Sequence, residues 1–103
     1  MKLLTLIVHT NVQQELSDLL HTMDQVTGFS FSRVEGYGTE KENDPYLLAR
    51  DEVIGCIPRI QVEILLEDKD VEGVLGRLRD KDNNVTGQGV YWVMPVENGG
   101  HIL

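Results

Sequence analysis

At 103 residues, with 41% hydrophobic and 25% charged side chains, the chain suffices for one domain with one core and needs no covalent staple. Its formal net charge of −8 removes nucleic acid from the expected partners, because a polyanion binder needs a basic face to displace counterions. One cysteine, Cys56, excludes an internal disulfide framework, and the short apolar opening MKLLTLIVHT reads as neither a signal peptide nor a membrane span, so the expected location is the cytoplasm without membrane insertion.

Lys2–His9 reads as the first strand. Leu4, Leu6 and Val8 alternate with Leu3, Thr5 and Ile7, and both sides are largely apolar, as in a central strand. Thr10 or Asn11 is placed to cap the helix that follows. In that helix Val12, Leu16, Leu19, Leu20 and Met23 share one stripe, with Gln13, Gln14, Asp18 and Thr22 outside it. Phe29–Glu35 reads as a second strand. Its alternation slips between Phe31 and Val34, which predicts a bulge or a strong twist.

The segment from Gly36 to Pro58 fits neither a hairpin turn nor a helix. Hairpin loops usually run to about 2–5 residues, and a longer structureless insert in a compact domain is usually functional or disordered. The segment mixes charges (Glu40, Lys41, Glu42, Asp44, Arg50, Asp51, Glu52) with the apolar trio Tyr46, Leu47 and Leu48. Ordering each residue costs about 1–2 kcal/mol of backbone entropy, whereas burying a Leu returns only about 1.5–3 kcal/mol. The expectation is a partner-binding loop that orders on its target, with Tyr46–Leu48 as its tip and Arg50 helping to set register.

Arg59–Leu66 is the clearest strand in the chain, with Ile60, Val62, Ile64 and Leu66 on one face and Arg59, Gln61 and Glu63 on the other. Asp68 or Asp70 is placed to cap a second helix with the stripe Val71, Val74, Leu75 and Leu78. Lys81–Gly89 is a turn-rich loop. Val90–Val96 is the last strand, carrying Val90, Trp92 and Met94 on one face, and a polar tail follows. Trp92 and Tyr91 read as core and interface residues rather than a stacking platform.

This order is that of a ferredoxin-like βαββαβ sandwich, an α+β fold with a four-stranded antiparallel sheet and two helices on one face. Leu3 and Ile7 then share the open face with Arg59, Gln61 and Glu63, a mixed surface that points to subunit assembly. Catalysis has little to stand on. Ser17, Ser30 and Ser32 lack a nucleophile elbow, and Cys56 has no evident base. His9, His21 and His101, with Cys56, Met23 and Met94, offer metal-ligand chemistry without C-x-x-C or H-x-x-x-H spacing. The backbone N–H groups of Gly87-Gln88-Gly89 are candidates to cradle an anion.

The same order of elements, with VEGYG (Val34–Gly38) before the long loop, IPRIQVEILLED (Ile57–Asp68) after it and TGQGVYWVMPVE (Thr86–Glu97) around the last strand, resembles the PII signalling proteins over nearly the whole chain. Those proteins show Gly-Phe-Gly, Leu-Pro-Lys and Gly-Asp-Gly at the corresponding places. The likeness is greatest to a PII-like branch of small proteins often associated with heavy-metal efflux. It implies a single PII-like domain over 1–103 and a homotrimer with ligand clefts between subunits. It also implies a non-enzymatic sensor whose long loop docks on a protein partner such as a membrane transporter.

The resemblance places ligand binding at Gly36, Tyr37, Gly38, Arg59, Gly87, Gln88, Gly89 and His101. Four cations that hold ATP or ADP in PII proteins are replaced here by Thr39, Val90, His101 and Leu103, while Arg59 matches the lysine serving 2-oxoglutarate. Charged donors bind a triphosphate about twice as strongly as neutral ones, so ATP is expected to bind far more weakly than in the usual PII pattern. The effector is left open, a divalent metal among the choices. The alternative is a metal-ion-binding tolerance protein similar in architecture to CutA.

Overall fold

The computed structural model describes residues 1–36, 57–87 and 89–103. Its elements are β1 (Lys2–His9), a 3-10 turn (Thr10–Val12), α1 (Gln13–His21), β2 (Phe29–Gly36), β3 (Ile57–Leu66), a second 3-10 turn (Asp68–Asp70), α2 (Val71–Leu78) and β4 (Gly89–Pro95). The sheet runs β2-β3-β1-β4, and every neighbouring pair is antiparallel. Each helix therefore joins two parallel strands that a third strand separates, the split crossover of the ferredoxin-like fold.

The alternation read from β1 and β3 is the one the sheet uses. Leu4, Leu6 and Val8 are buried against the helices together with Ile60, Val62, Ile64 and Leu66. Facing them are Val12, Leu16, Leu20 and Met23 from the α1 region and the α2 stripe Val71, Val74, Leu75 and Leu78. Thr22 ties the two helices together: its hydroxyl donates to the Leu19 carbonyl at 2.6 Å and accepts from Arg77 Nη2 at 3.1 Å.

Three local expectations are corrected. Of the two readings of the slipped alternation in β2, the bulge is excluded, since its pairing with β3 is uninterrupted from Phe29↔Ile64 to Gly36↔Ile57. The slip in alternation arises because Val34 sits opposite Arg59 on the open face, while Phe29 and Phe31 pack on the core. Neither helix is capped by a side chain. Thr10 and Asn11 lie inside the first 3-10 turn, and Asp68 lies inside the second. Asp70 holds the N-cap position of α2 but makes no capping bond. Both helices begin as a tighter turn, which changes the direction of their first N–H groups. Finally, β3 starts at Ile57 and includes Pro58, which lies beyond the last β1 partner, where β3 is paired on one side only.

The Met1 amino group sits 2.5 Å from Asp68 Oδ1, and that bond holds the Asp68 carboxyl below its ordinary value. The depressed pKa makes this contribution present above the ordinary carboxylate range and lost as pH falls through the lowered one. The aspartate's exposure to solvent keeps it small.

α2 spends an exposed interior position on Gly76, where an added Cβ would meet nothing within 4 Å. Gly76→Ala should raise stability by about 0.5–1 kcal/mol, read as a higher midpoint in denaturant with an unchanged slope.

Candidate functional site

The helices dry one sheet face and leave the other uncovered. Pairing sets the uncovered face as Leu3, Thr5, Ile7 and His9 on β1, flanked by Arg59, Gln61 and Glu63 on β3 and by Val90, Trp92 and Met94 on β4. Polarity is graded across it. The β3 side is polar and continues into Ser30 and Ser32 of β2, whereas the β4 side is apolar. Val90, Trp92 and Met94 are 50%, 44% and 51% exposed. Trp92 and Tyr91 are thus not core residues of the isolated chain, contrary to half of the sequence reading.

One end of the sheet gathers Gly36, Arg59 and Gly89 of the expected ligand residues. Gly36 ends β2, Arg59 and His9 face each other across β3 and β1, and Gly89 begins β4 opposite Val8. Gly89 is level with Val8, Ile60 and Arg33, and Gly36 lies three residues further along β2, so strands about 4.8 Å apart with a rise of about 3.3 Å per residue put the two glycines roughly 17 Å from one another, with the Arg59–His9 pair between them. Arg59 Nη1 donates to His9 Nδ1 at 2.5 Å, and His9 is almost fully buried. Sequence reading placed His9 at the end of the first strand and among residues with metal-ligand chemistry. Only the β1–β3 register reveals its partner.

The loop leading into β4 is held by its own polar side chains. Asn83 Oδ1 accepts from Val85 N and Thr86 N at 2.9 and 3.1 Å, while Asn83 Nδ2 donates to the Arg77 carbonyl at 2.8 Å. The Thr86 hydroxyl, with one proton to donate, lies 3.0 Å from the Leu78 carbonyl at the end of α2 and 2.5 Å from the Asp80 carbonyl just beyond it. Gly87 has φ +79°, and a Cβ on Gly89 would stand 2.1 Å from the Ile7 carbonyl oxygen. Both glycines therefore have a steric reason to be glycine within the chain itself.

His101 stands apart. It is exposed at the opposite end of the sheet, beside Gly28, Leu65 and Glu67. Tyr37, Gly38, Gln88, Tyr46, Leu47, Leu48 and Arg50 lie outside the described residues, as do Thr39 and Cys56. Among the described residues, no three His, Cys, Asp or Glu side chains come together as a metal site. Nor is any described helix long and apolar enough to cross a membrane.

A split βαββαβ sheet with one open face defines the ferredoxin-like class of α+β proteins. The chain is 24% identical over 98 residues to the nitrogen regulatory protein P-II of Azospirillum brasilense, an alignment covering 94% of this chain and 87% of that one. It belongs to the DUF3240 family, described as proteins of unknown function, whose model matches residues 1–103. Its fold is that of a DUF3240 family protein from Shewanella baltica known from a crystal structure. That likeness has a TM-score of 0.76 and 20% identity, and covers 99% of this chain and 96% of that one.

The two glycines before β4 should respond differently to substitution. Gly89→Ala forces strand displacement and should cost about 3 kcal/mol or more, beyond ordinary overpacking because the obstacle is backbone. Gly87→Ala has open space and should cost only the left-handed backbone penalty, about 1–2 kcal/mol. Denaturant unfolding of the two variants measures the difference.

Proposed function

We propose that the protein is a cytoplasmic, trimeric PII-like regulatory module that signals by docking on a protein partner through residues 37–56, in a transport or metal-efflux setting. The observation that carries this reading is the uncovered sheet face, whose apolar side (Ile7, Val90, Trp92, Met94) lies next to a polar side. A face of this kind is covered well by copies of the same chain, which bury the apolar residues and keep the polar ones hydrogen-bonded. Similarity to a nitrogen regulatory protein P-II over 94% of the chain supports a regulatory, non-enzymatic role.

Assembly also gives His101 a place. Within one chain it is at the opposite end of the sheet from Arg59, Gly87 and Gly89, so it joins them only from a neighbouring subunit. The effector cleft then lies between subunits, with Gly36, Tyr37, Gly38, Arg59 and Gly87-Gln88-Gly89 from one chain and His101 from the next. Arg59 is the cation of that cleft. Tyr46, Leu47 and Leu48 supply the apolar contact with the partner, and Arg50 supplies charge register.

Light scattering should give three times the chain mass at micromolar concentration. Trp92→Glu should lower that mass to one chain while leaving the far-ultraviolet circular dichroism of the fold in place. A monomeric wild-type protein would overturn the assembly. For the docking segment, the combined Tyr46→Ser, Leu47→Ser and Leu48→Ser variant should lose capture of the partner from native lysate while keeping trimer mass and melting temperature. A large drop in melting temperature would instead assign the trio to the fold.

A further inference from the structure

On the helix-covered side, α2 stops short of the β4 edge and leaves a cleft of about 180 Å³. Its floor is core: Leu6 and Val8 from β1, Leu75 and Leu78 from α2, and Val85 from the following loop, all buried. Its rim is Tyr91 and Arg79. Tyr91 lies opposite Leu6 and so projects to the core side of the sheet, yet it is 45% exposed because no helix lies over it. The Arg79 guanidinium stacks over the Tyr91 ring, 5.1 Å from its centroid, and donates from Nη2 to the Tyr91 hydroxyl.

The charge of this lining is opposite to that of the chain. The whole protein carries −8, but the side chains around the cleft include one guanidinium and no carboxylate. Arg79 makes no ion pair among the described residues, and its five N–H donors are only partly used by Tyr91. An apolar floor with a single, stacked, planar cation selects a ligand with an apolar body and a carboxylate head, the group that a guanidinium grips in bidentate fashion. The volume sets the size of the body. An apolar cavity of about 150 Å³ in another protein takes up benzene, so 180 Å³ suits one ring with a carboxylate attached.

We propose that the cleft between α2, Val85 and the β4 edge is a binding site for a small organic carboxylate of about one ring in size, with Arg79 holding the carboxylate and Tyr91 holding Arg79. The site shares Gly87 and Gly89 with the effector cleft proposed above, but Arg79 and Tyr91, which carry it, lie on the other side of the sheet and take no part in that cleft.

Benzoate is the probe, with benzyl alcohol as its uncharged counterpart, titrated into the full-length protein and followed by amide chemical shifts. Benzoate should move the amides of Val85, Gly87, Gly89 and Tyr91 in a saturable way at low-millimolar concentration, and benzyl alcohol should bind about tenfold more weakly or worse. Arg79→Gln, an exposed substitution, should weaken benzoate by about tenfold and leave benzyl alcohol unchanged. Tyr91→Phe should keep the stacking and lose only part of the effect. Absence of saturable shifts at these amides, or equal benzoate affinity in wild type and Arg79→Gln, would overturn the site. The outcome is independent of the mass measured by light scattering.

Discussion

Two short helices can dry only one face of a four-stranded sheet, and the rest of the molecule follows from that shortage. At 1.5 Å per residue the eight residues of α2 span about 12 Å, far less than the roughly 33 Å of the ten-residue β3 that precedes it. The apolar stripes of α1 and α2 are spent on β1 and β3, whose inward residues are nearly all buried. β4 receives what is left. It has Tyr91 half-covered on one side and Val90, Trp92 and Met94 uncovered on the other. A strand this apolar on a sheet edge is a liability in an isolated chain, so β4 is where both assembly and ligand chemistry are to be sought.

The two surfaces differ in kind. The open face is broad, graded from apolar to polar, and suited to another protein surface. The cleft beneath β4 is small, with an apolar floor and one cation, and suited to a small molecule. They share β4, whose alternate residues serve one and then the other. Between them runs the rim where Gly36, Arg59, His9 and Gly89 end or begin their strands. Any change in the seating of β4 would be felt on all three.

What was legible in the sequence is what buries a repeating stripe. Ile60, Val62, Ile64 and Leu66, and likewise Val71, Val74, Leu75 and Leu78, carry their period in plain view because every member is excluded from water. Val34 broke the period of β2 because it is an apolar residue on the open face, where neither sign of hydropathy is enforced. Thr10, Asn11, Asp68 and Asp70 have capping chemistry, but a 3-10 turn at each helix start redirects the N–H groups they would meet. In the candidate site, Arg59 could be read only through the resemblance to PII proteins, and Gly87 and Gly89 through that resemblance and the Gly-x-Gly pattern. The Arg59–His9 contact and the Arg79–Tyr91 stack could not, since each depends on which strand or loop arrives beside which.

The placement of β1 also has a kinetic consequence. It is the first strand of the domain to be synthesised, yet its partners are β3 and β4, and Lys2 pairs with both Leu66 and Pro95. Until residues 57–66 have left the ribosome, β1 has no ladder on either side. Its second edge waits for residues 89–95. The nascent chain therefore holds LLTLIV unpaired until β3 has emerged, and the ladders of β1 become available in two stages, β3 and then β4, each a long loop closure. Synthesis of this domain thus leaves its opening segment without a partner until β3 has emerged, and with one open edge until β4 follows.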